Sequence, residues 1–99
     1  MVNLGNKKSQ INITWDDVES SSIESIHYNN NGDTGVLGVI FKSGDSYIYD
    51  KVGINEIVNM LKSESVGSYF AKNIRSSYSY KNIGNTYGES PLKKMGIVS

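Results

Sequence analysis

The stretch Val36-Leu-Gly-Val-Ile-Phe-Lys-Ser-Gly-Asp-Ser-Tyr-Ile-Tyr-Asp50 decides the fold. Val36 to Phe41 is apolar on both faces of an extended chain, which predicts a central strand. Gly38 inside it marks a close backbone approach or a bulge. Lys42-Ser-Gly-Asp45 reads as a hairpin turn. Ser46 to Asp50 then alternates, with Tyr47 and Tyr49 on one face and Ile48 on the other.

Working outward, Ser22-Ile-Glu-Ser-Ile-His-Tyr28 reads as the strand before this pair. Asn29 to Gly35 between them reads as a loop, because Asn and Gly tolerate positive φ and Asp caps its own backbone. The three strands form an antiparallel meander. Further upstream, Gln10-Ile-Asn-Ile-Thr-Trp15 alternates apolar and polar side chains. It fits a short strand, or an arm that docks on a partner subunit.

Two helices follow the meander. Ile54, Ile57, Val58 and Leu61 keep helical spacing and predict a helix from Ile54 to Lys62. Val66, Tyr69, Phe70, Ile74 and Tyr78 predict a second, from Val66 to Tyr78, with Ser65 as its cap. After Tyr80 the periodicity fails, and Gly84, Gly88, Pro91 and Gly96 break any long element. This tail is either mobile or ordered by an oligomer or a ligand. The expected architecture is α+β: a three-stranded antiparallel meander followed by two helices packed on one face, with polar N- and C-terminal extensions. It divides into an N-terminal arm (1–17), a compact domain (18–80) and a C-terminal tail (81–99).

With 99 residues the chain has room for one modest core. A chain of this size buries roughly 60–70% of its unfolded surface. Ten basic residues balance ten acidic ones, which disfavours a strongly basic, whole-surface nucleic-acid binder. The absence of cysteine excludes disulfides, thiolate metal sites and thiol nucleophiles, and fits a reducing cytoplasm. No apolar run is long enough to span a bilayer, so no membrane partner is expected, and the first residues lack a signal peptide's apolar stretch.

The balanced total hides an asymmetry. Residues 1–64 carry five basic against nine acidic side chains, whereas residues 65–99 carry Lys72, Arg75, Lys81, Lys93 and Lys94 against Glu89 alone. Tyr69, Tyr78, Tyr80 and Tyr87 lie in that basic third. Such a segment suits an anion that carries rings, such as a nucleotide. It equally fits a solvated helix face and a polar tail.

Several strings together resemble one family. They are Val18-x-Ser-Ser-x-Ile23-x-x-Ile26-x-Tyr28, Leu37-x-Val39-x-Phe41-x-x-Gly44, Tyr47-x-Tyr49-x-x-Val52 and Ser65-x-Gly67-x-Tyr69-Phe70-x-x-x-Ile74-Arg75-x-x-Tyr78. Over residues 18–80 the chain resembles the KTSC domain, a small domain with a central Tyr-x-Tyr. That domain occurs alone in bacteria and at the C-terminus of some lysyl-tRNA synthetases. Gly53 stands where the family usually has Pro, which loosens the start of the first helix. The resemblance implies RNA binding. In size and style, though not in motif, the chain is also similar to small phage proteins that sequester cyclic-nucleotide immune signals.

Little reactive chemistry is available. His27 is the lone histidine and reads as a structural or surface residue. Asp16-Asp17 reads as a solvated loop or helix start rather than a cation site, because adjacent carboxylates diverge on an extended chain. No phosphate-cradling glycine motif is present. Ser65-Val-Gly-Ser68 opens a helix and offers free N–H groups to a phosphate, or else serves only as a cap with Gly67 packed closely. No catalytic residue, metal or cofactor is assigned, and the chain is read as a non-enzyme.

Tyr47 and Tyr49 fit a base-stacking shelf, or a sheet face covered by the helices. Arg75 is the only arginine, able to grip a phosphate bidentately or stack on a base. Alternatively it forms a surface ion pair. The expected ligand-binding residues are Tyr69, Lys72, Asn73, Arg75, Ser76, Tyr78, Tyr80 and Lys81, with the tail from Lys81 closing over the ligand. The expected function is sequestration of a nucleotide-type anion at a homo-oligomer interface. Its sharpest form is a phage sponge for a cyclic dinucleotide. An RNA-binding accessory domain and a protein-interaction module without a small ligand are the alternatives.

Overall fold

The computed structural model describes residues 10–16 and 18–98. Among the described residues one antiparallel sheet runs in chain order through β1 (Gln10–Trp15), β2 (Ile23–Asn31), β3 (Gly35–Phe41), β4 (Asp45–Val52) and β5 (Tyr80–Asn85). Between β4 and β5 lie α1 (Ile54–Lys62) and α2 (Val66–Tyr69), the latter continuing into a π-helical turn, Phe70–Ile74. A short helix, α3 (Pro91–Lys94), follows β5.

The α+β class and the central meander are as the sequence leads one to expect, but the sheet has five strands rather than three. Residues outside the meander satisfy its two open edges, where unpaired N–H and C=O groups need partners. On one side β1 pairs Ile13 with Tyr28 and Trp15 with Ile26. On the other β5 pairs Tyr80 with Tyr49 and Asn82 with Tyr47. The glycine pattern that suggested an irregular tail is a bulge instead. Gly84 sits at φ 75° where the β4–β5 register shifts, leaving Ile83 as the extra residue.

Two boundaries also move. β2 continues through Asn29 and Asn30, read above as loop. Their amides are satisfied inside the sheet: Asn29 Nδ2 donates to Asn12 Oδ1 at 2.6 Å, and Asn30 Nδ2 donates to Tyr28 Oη at 3.1 Å. The second helix ends at Ile74 rather than Tyr78, because the Arg75 N–H reaches back five residues to the Phe70 carbonyl at 2.9 Å. That wide turn consumes the helical repeat.

The sheet is covered on both faces. Ile26, Tyr28, Leu37, Val39 and Tyr49 point to one side, where Ile57, Met60, Val66, Phe70 and Ile74 of the helices bury them. The opposite side holds Ser25, His27, Asn29 and Gly38, and there α3 lies on the sheet. Gly38 marks a close approach, since a Cβ at that position would meet Pro91 Cβ at 3.1 Å and Leu92 Cδ2 at 3.3 Å. The tail thus packs on its own sheet. No helix among the described residues is long and apolar enough to cross a membrane.

One irregularity sets the geometry of the helical face. Leu37 pairs with Tyr49 and Gly35 with Val52, so Asp50 and Lys51 share the place opposite Val36. Lys51 takes φ 59°, and its N–H donates to Asp50 Oδ1 at 2.9 Å. Left-handed backbone costs a residue with a Cβ roughly 1–2 kcal/mol, and glycine nothing comparable. Lys51→Gly is therefore expected to raise stability by about 1 kcal/mol in urea unfolding; an unchanged or lowered midpoint would show that the bulge stores no strain.

Candidate functional site

β4 alternates strictly from Asp45 to Tyr49, so Asp45, Tyr47 and Tyr49 stand on the helical face. Beyond the edge of the helices this face stays open. It forms a groove of about 630 Å³ lined by Ser21, Ser22, Phe41, Lys42, Ser43, Asp45, Tyr47, Tyr49, Arg75 and Tyr80.

Aromatic rings form the floor. Tyr47 and Tyr49 stack with centroids 6.3 Å apart and planes 22° apart. Tyr80 lies 5.7 Å from each of them and is 60% exposed. Phe41 packs edge-on against Tyr47 at 5.5 Å, and Phe70 packs edge-on against Tyr49 at 5.2 Å. Such pairs are worth about 0.5–1.5 kcal/mol beyond their buried area, so the ring positions are held by one another. Asn82 Nδ2 donates to Tyr47 Oη at 3.2 Å, fixing one hydroxyl of the floor. Burial pushes the Tyr49 hydroxyl up to about 12; Tyr47 and Tyr80 add to the rise, and Arg75 opposes it. Arg75 is exposed on the groove wall, close enough to Tyr49 for its charge to act there.

Of the eight residues expected to bind a ligand, Arg75 and Tyr80 line this groove. Tyr69 and Tyr78 are turned elsewhere: both hydroxyls donate to the Glu56 carboxylate, Tyr78 at 2.8 Å. Burial, reinforced by this bond, pushes the Tyr78 hydroxyl up to about 12, while the Glu56 bond is the main cause of the rise at Tyr69. Together they tie α1 to the residues on either side of the π turn. Lys72, Asn73 and Ser76 are exposed outside the groove, with Asn73 Nδ2 on the Tyr69 carbonyl at 3.2 Å. Helical spacing sets Lys72 and Arg75 on one face, but of the two only Arg75 lines the groove. Lys81 pairs opposite Ile48 and lines the other side of the sheet. The tail from Lys81 does not close over the groove; it continues β5 and crosses to the far face as α3.

Lys42, Asp45 and Phe41 were not singled out by their types. The signal was present in the alternation, which carries Asp45 onto the Tyr47 face, and in the hairpin, which returns Lys42 beside it. Ser65 acts as the cap, its Oγ accepting from the Ser68 N–H at 3.2 Å. A Cβ on Gly67 would meet Ser20 Oγ at 2.8 Å, so that glycine serves close packing. His27 is buried on the opposite face, its Nε2 3.0 Å from Ser25 Oγ. Burial lowers its pKa, with Asp16 opposing. Asp17 lies outside the described residues.

A family model for the KTSC domain matches residues 19–78. The chain belongs to the KTSC domain family. It is also similar to the crystal structure of a KTSC domain protein from Yersinia pestis, with 26% identity and a TM-score of 0.63, covering 77% of this chain and all of that one. No curated protein matches the chain. The KTSC span includes every residue that lines the groove except Tyr80. The groove therefore lies mostly within the matched span and is completed by a strand beyond it.

The raised Tyr49 pKa has a definite consequence for stability. A group whose pKa is higher folded than unfolded contributes fully below its unfolded value, near 10, and loses that contribution as pH rises towards about 12. Unfolding free energy should fall across pH 10–12 more steeply in the native chain than in Tyr49→Phe. Equal slopes in a chemical-denaturation series would place the hydroxyl in open water.

Proposed function

We propose that this KTSC domain is a non-enzymatic binding protein that holds a nucleotide-type anion in the Tyr47–Tyr49–Tyr80 groove. The observation that supports it is the meeting of the chain's one arginine with stacked, partly open tyrosine rings in a single depression. Each half of a nucleotide then finds a matching group. A base stacks on tyrosine, worth ~1–3 kcal/mol. A phosphate meets a planar guanidinium that donates two parallel hydrogen bonds. A volume of about 630 Å³ falls within the range of small-molecule sites.

One chain supplies both rings and guanidinium, so this reading does not require a homo-oligomer. Sequestration of a cyclic dinucleotide is its narrow form, since a sponge needs affinity and no turnover. RNA binding through the same groove is the second reading, favoured by the stacked rings. It predicts affinity that falls steeply with salt, because each neutralised phosphate releases counterions. A small nucleotide meeting one arginine shows a shallow slope.

Melting shifts and calorimetry with cyclic mononucleotides, cyclic dinucleotides and tRNA separate these cases. A binding nucleotide should lose at least about tenfold in affinity with Arg75→Ala, the usual cost of removing a charged hydrogen-bond partner. Tyr80→Ala should also weaken binding and, by removing its ring contacts to Tyr47 and Tyr49, lower stability by about 1 kcal/mol, while Arg75→Ala keeps the native melting temperature because Arg75 is exposed. If no nucleotide and no RNA binds, the reading is wrong.

A further inference from the structure

The groove is not uniform along its length. Asp45, Tyr47 and Tyr49 stand in file on one strand face, and from Asp45 to Tyr49 the strand advances about 14 Å. At the Tyr49 end the Arg75 charge acts on the ring. At the other end the β3–β4 hairpin brings up Asp45, the groove's one carboxylate among the described residues, beside Lys42. The groove thus has a cationic end, a run of rings, and an end carrying a hydrogen-bond acceptor. An anion-binding site needs no carboxylate; one facing the same groove repels phosphate. Its presence is explained if that end receives donors from the ligand.

We infer that the groove takes a guanine nucleotide lengthwise, with the base stacked on Tyr47 and Tyr80, its N1–H and N2–H₂ edge on Asp45, and its phosphate at Arg75. This rests on the nucleotide reading above and names the base. A carboxylate has two oxygens side by side and only accepts hydrogen bonds. Guanine alone among the common bases presents two adjacent donors on its Watson–Crick edge. Adenine offers one amine next to an acceptor nitrogen, which a carboxylate repels. Tyr47 is two residues from Asp45 on the same face, about 7 Å along the strand. A ring stacked on Tyr47 therefore turns an edge towards the carboxylate while its sugar and phosphate run towards Tyr49 and Arg75. Lys42 neutralises Asp45's end overall, so that a second anion is not driven off and the discrimination is left to hydrogen-bond direction.

The test is calorimetric titration of the native chain with GMP, AMP and IMP, repeated on Asp45→Asn and Arg75→Ala. GMP should bind at least about fivefold tighter than AMP, the lower end of what one bidentate base contact discriminates. IMP, which keeps N1–H but lacks the N2 amine, should fall between them. Asp45→Asn should erase the GMP preference while leaving AMP affinity unchanged or improved. Arg75→Ala should weaken all three alike. If GMP and AMP bind equally and both are lost in Arg75→Ala, the guanine assignment is wrong and the nucleotide reading stands. Should none of the three nucleotides bind the native chain, and no cyclic nucleotide or RNA bind either, the nucleotide reading and the guanine assignment fail together.

Discussion

The two-residue bulge at Asp50–Lys51 is the constraint on which the helical face depends. In a regular strand Tyr49 and Val52, three apart, would point to opposite sides. The extra residue lets both face the helices: Tyr49 is 2% exposed and Val52 0%. The Val52 carbonyl then accepts from Tyr28 Oη at 2.6 Å, pinning the end of β4 to β2 beneath the helices. From that fixed point the chain turns through Gly53 into α1. The helices fall across β2 and β3 and leave Tyr47 and Tyr80 at an open margin.

The same logic of small departures from regular structure governs the groove wall. The π turn at Phe70–Ile74 places Phe70 between Phe41 and Tyr49, edge-on to both rings, and delivers Arg75 to the groove margin. Glu56 clamps Tyr69 and Tyr78 on the far side of that turn, so the turn is held on two flanks. Arg75 itself is exposed at that margin, its charge reaching Tyr49. The second face contributes by ordering β5: α3 lies across β2, β3 and β4, and Thr86, just past β5, bonds Ser46 at 3.0 Å in the interior. Tyr80 is held in the groove by that chain of contacts.

Much of the fold was legible because β3 is a continuous apolar run, β4 alternates with period two and α1 carries a clean helical stripe. The edge strands were harder. β1 has the alternation, yet nothing local says that Asn12 will meet Asn29 across the sheet. β5 reads Tyr-Lys-Asn-Ile-Gly-Asn, and beyond Tyr80 its strand character comes from the open edge of β4 rather than from its own composition. For the site, charge and aromatic content singled out Arg75 and Tyr80, which line the groove, and helical spacing also singled out Lys72, Asn73 and Ser76, which lie outside it. A π turn has no clear sequence signature, so the face on which Arg75 lies could not be read. Tyr69 and Tyr78 were claimed by Glu56, a partner thirteen and twenty-two residues away. Asp45 lay in plain view on the Tyr47 face and became informative only when the helices left that face uncovered.

Assigned backbone and aromatic NMR resonances, followed while a guanine nucleotide is added, test the account most directly. The account predicts shifts confined to Phe41, Asp45, Tyr47, Tyr49, Arg75 and Tyr80, with the α3 face and Lys72 unmoved. Perturbation centred on His27 and Lys93 across the sheet, or on the exposed Lys72, Asn73 and Ser76 with the tyrosine rings silent, would contradict it.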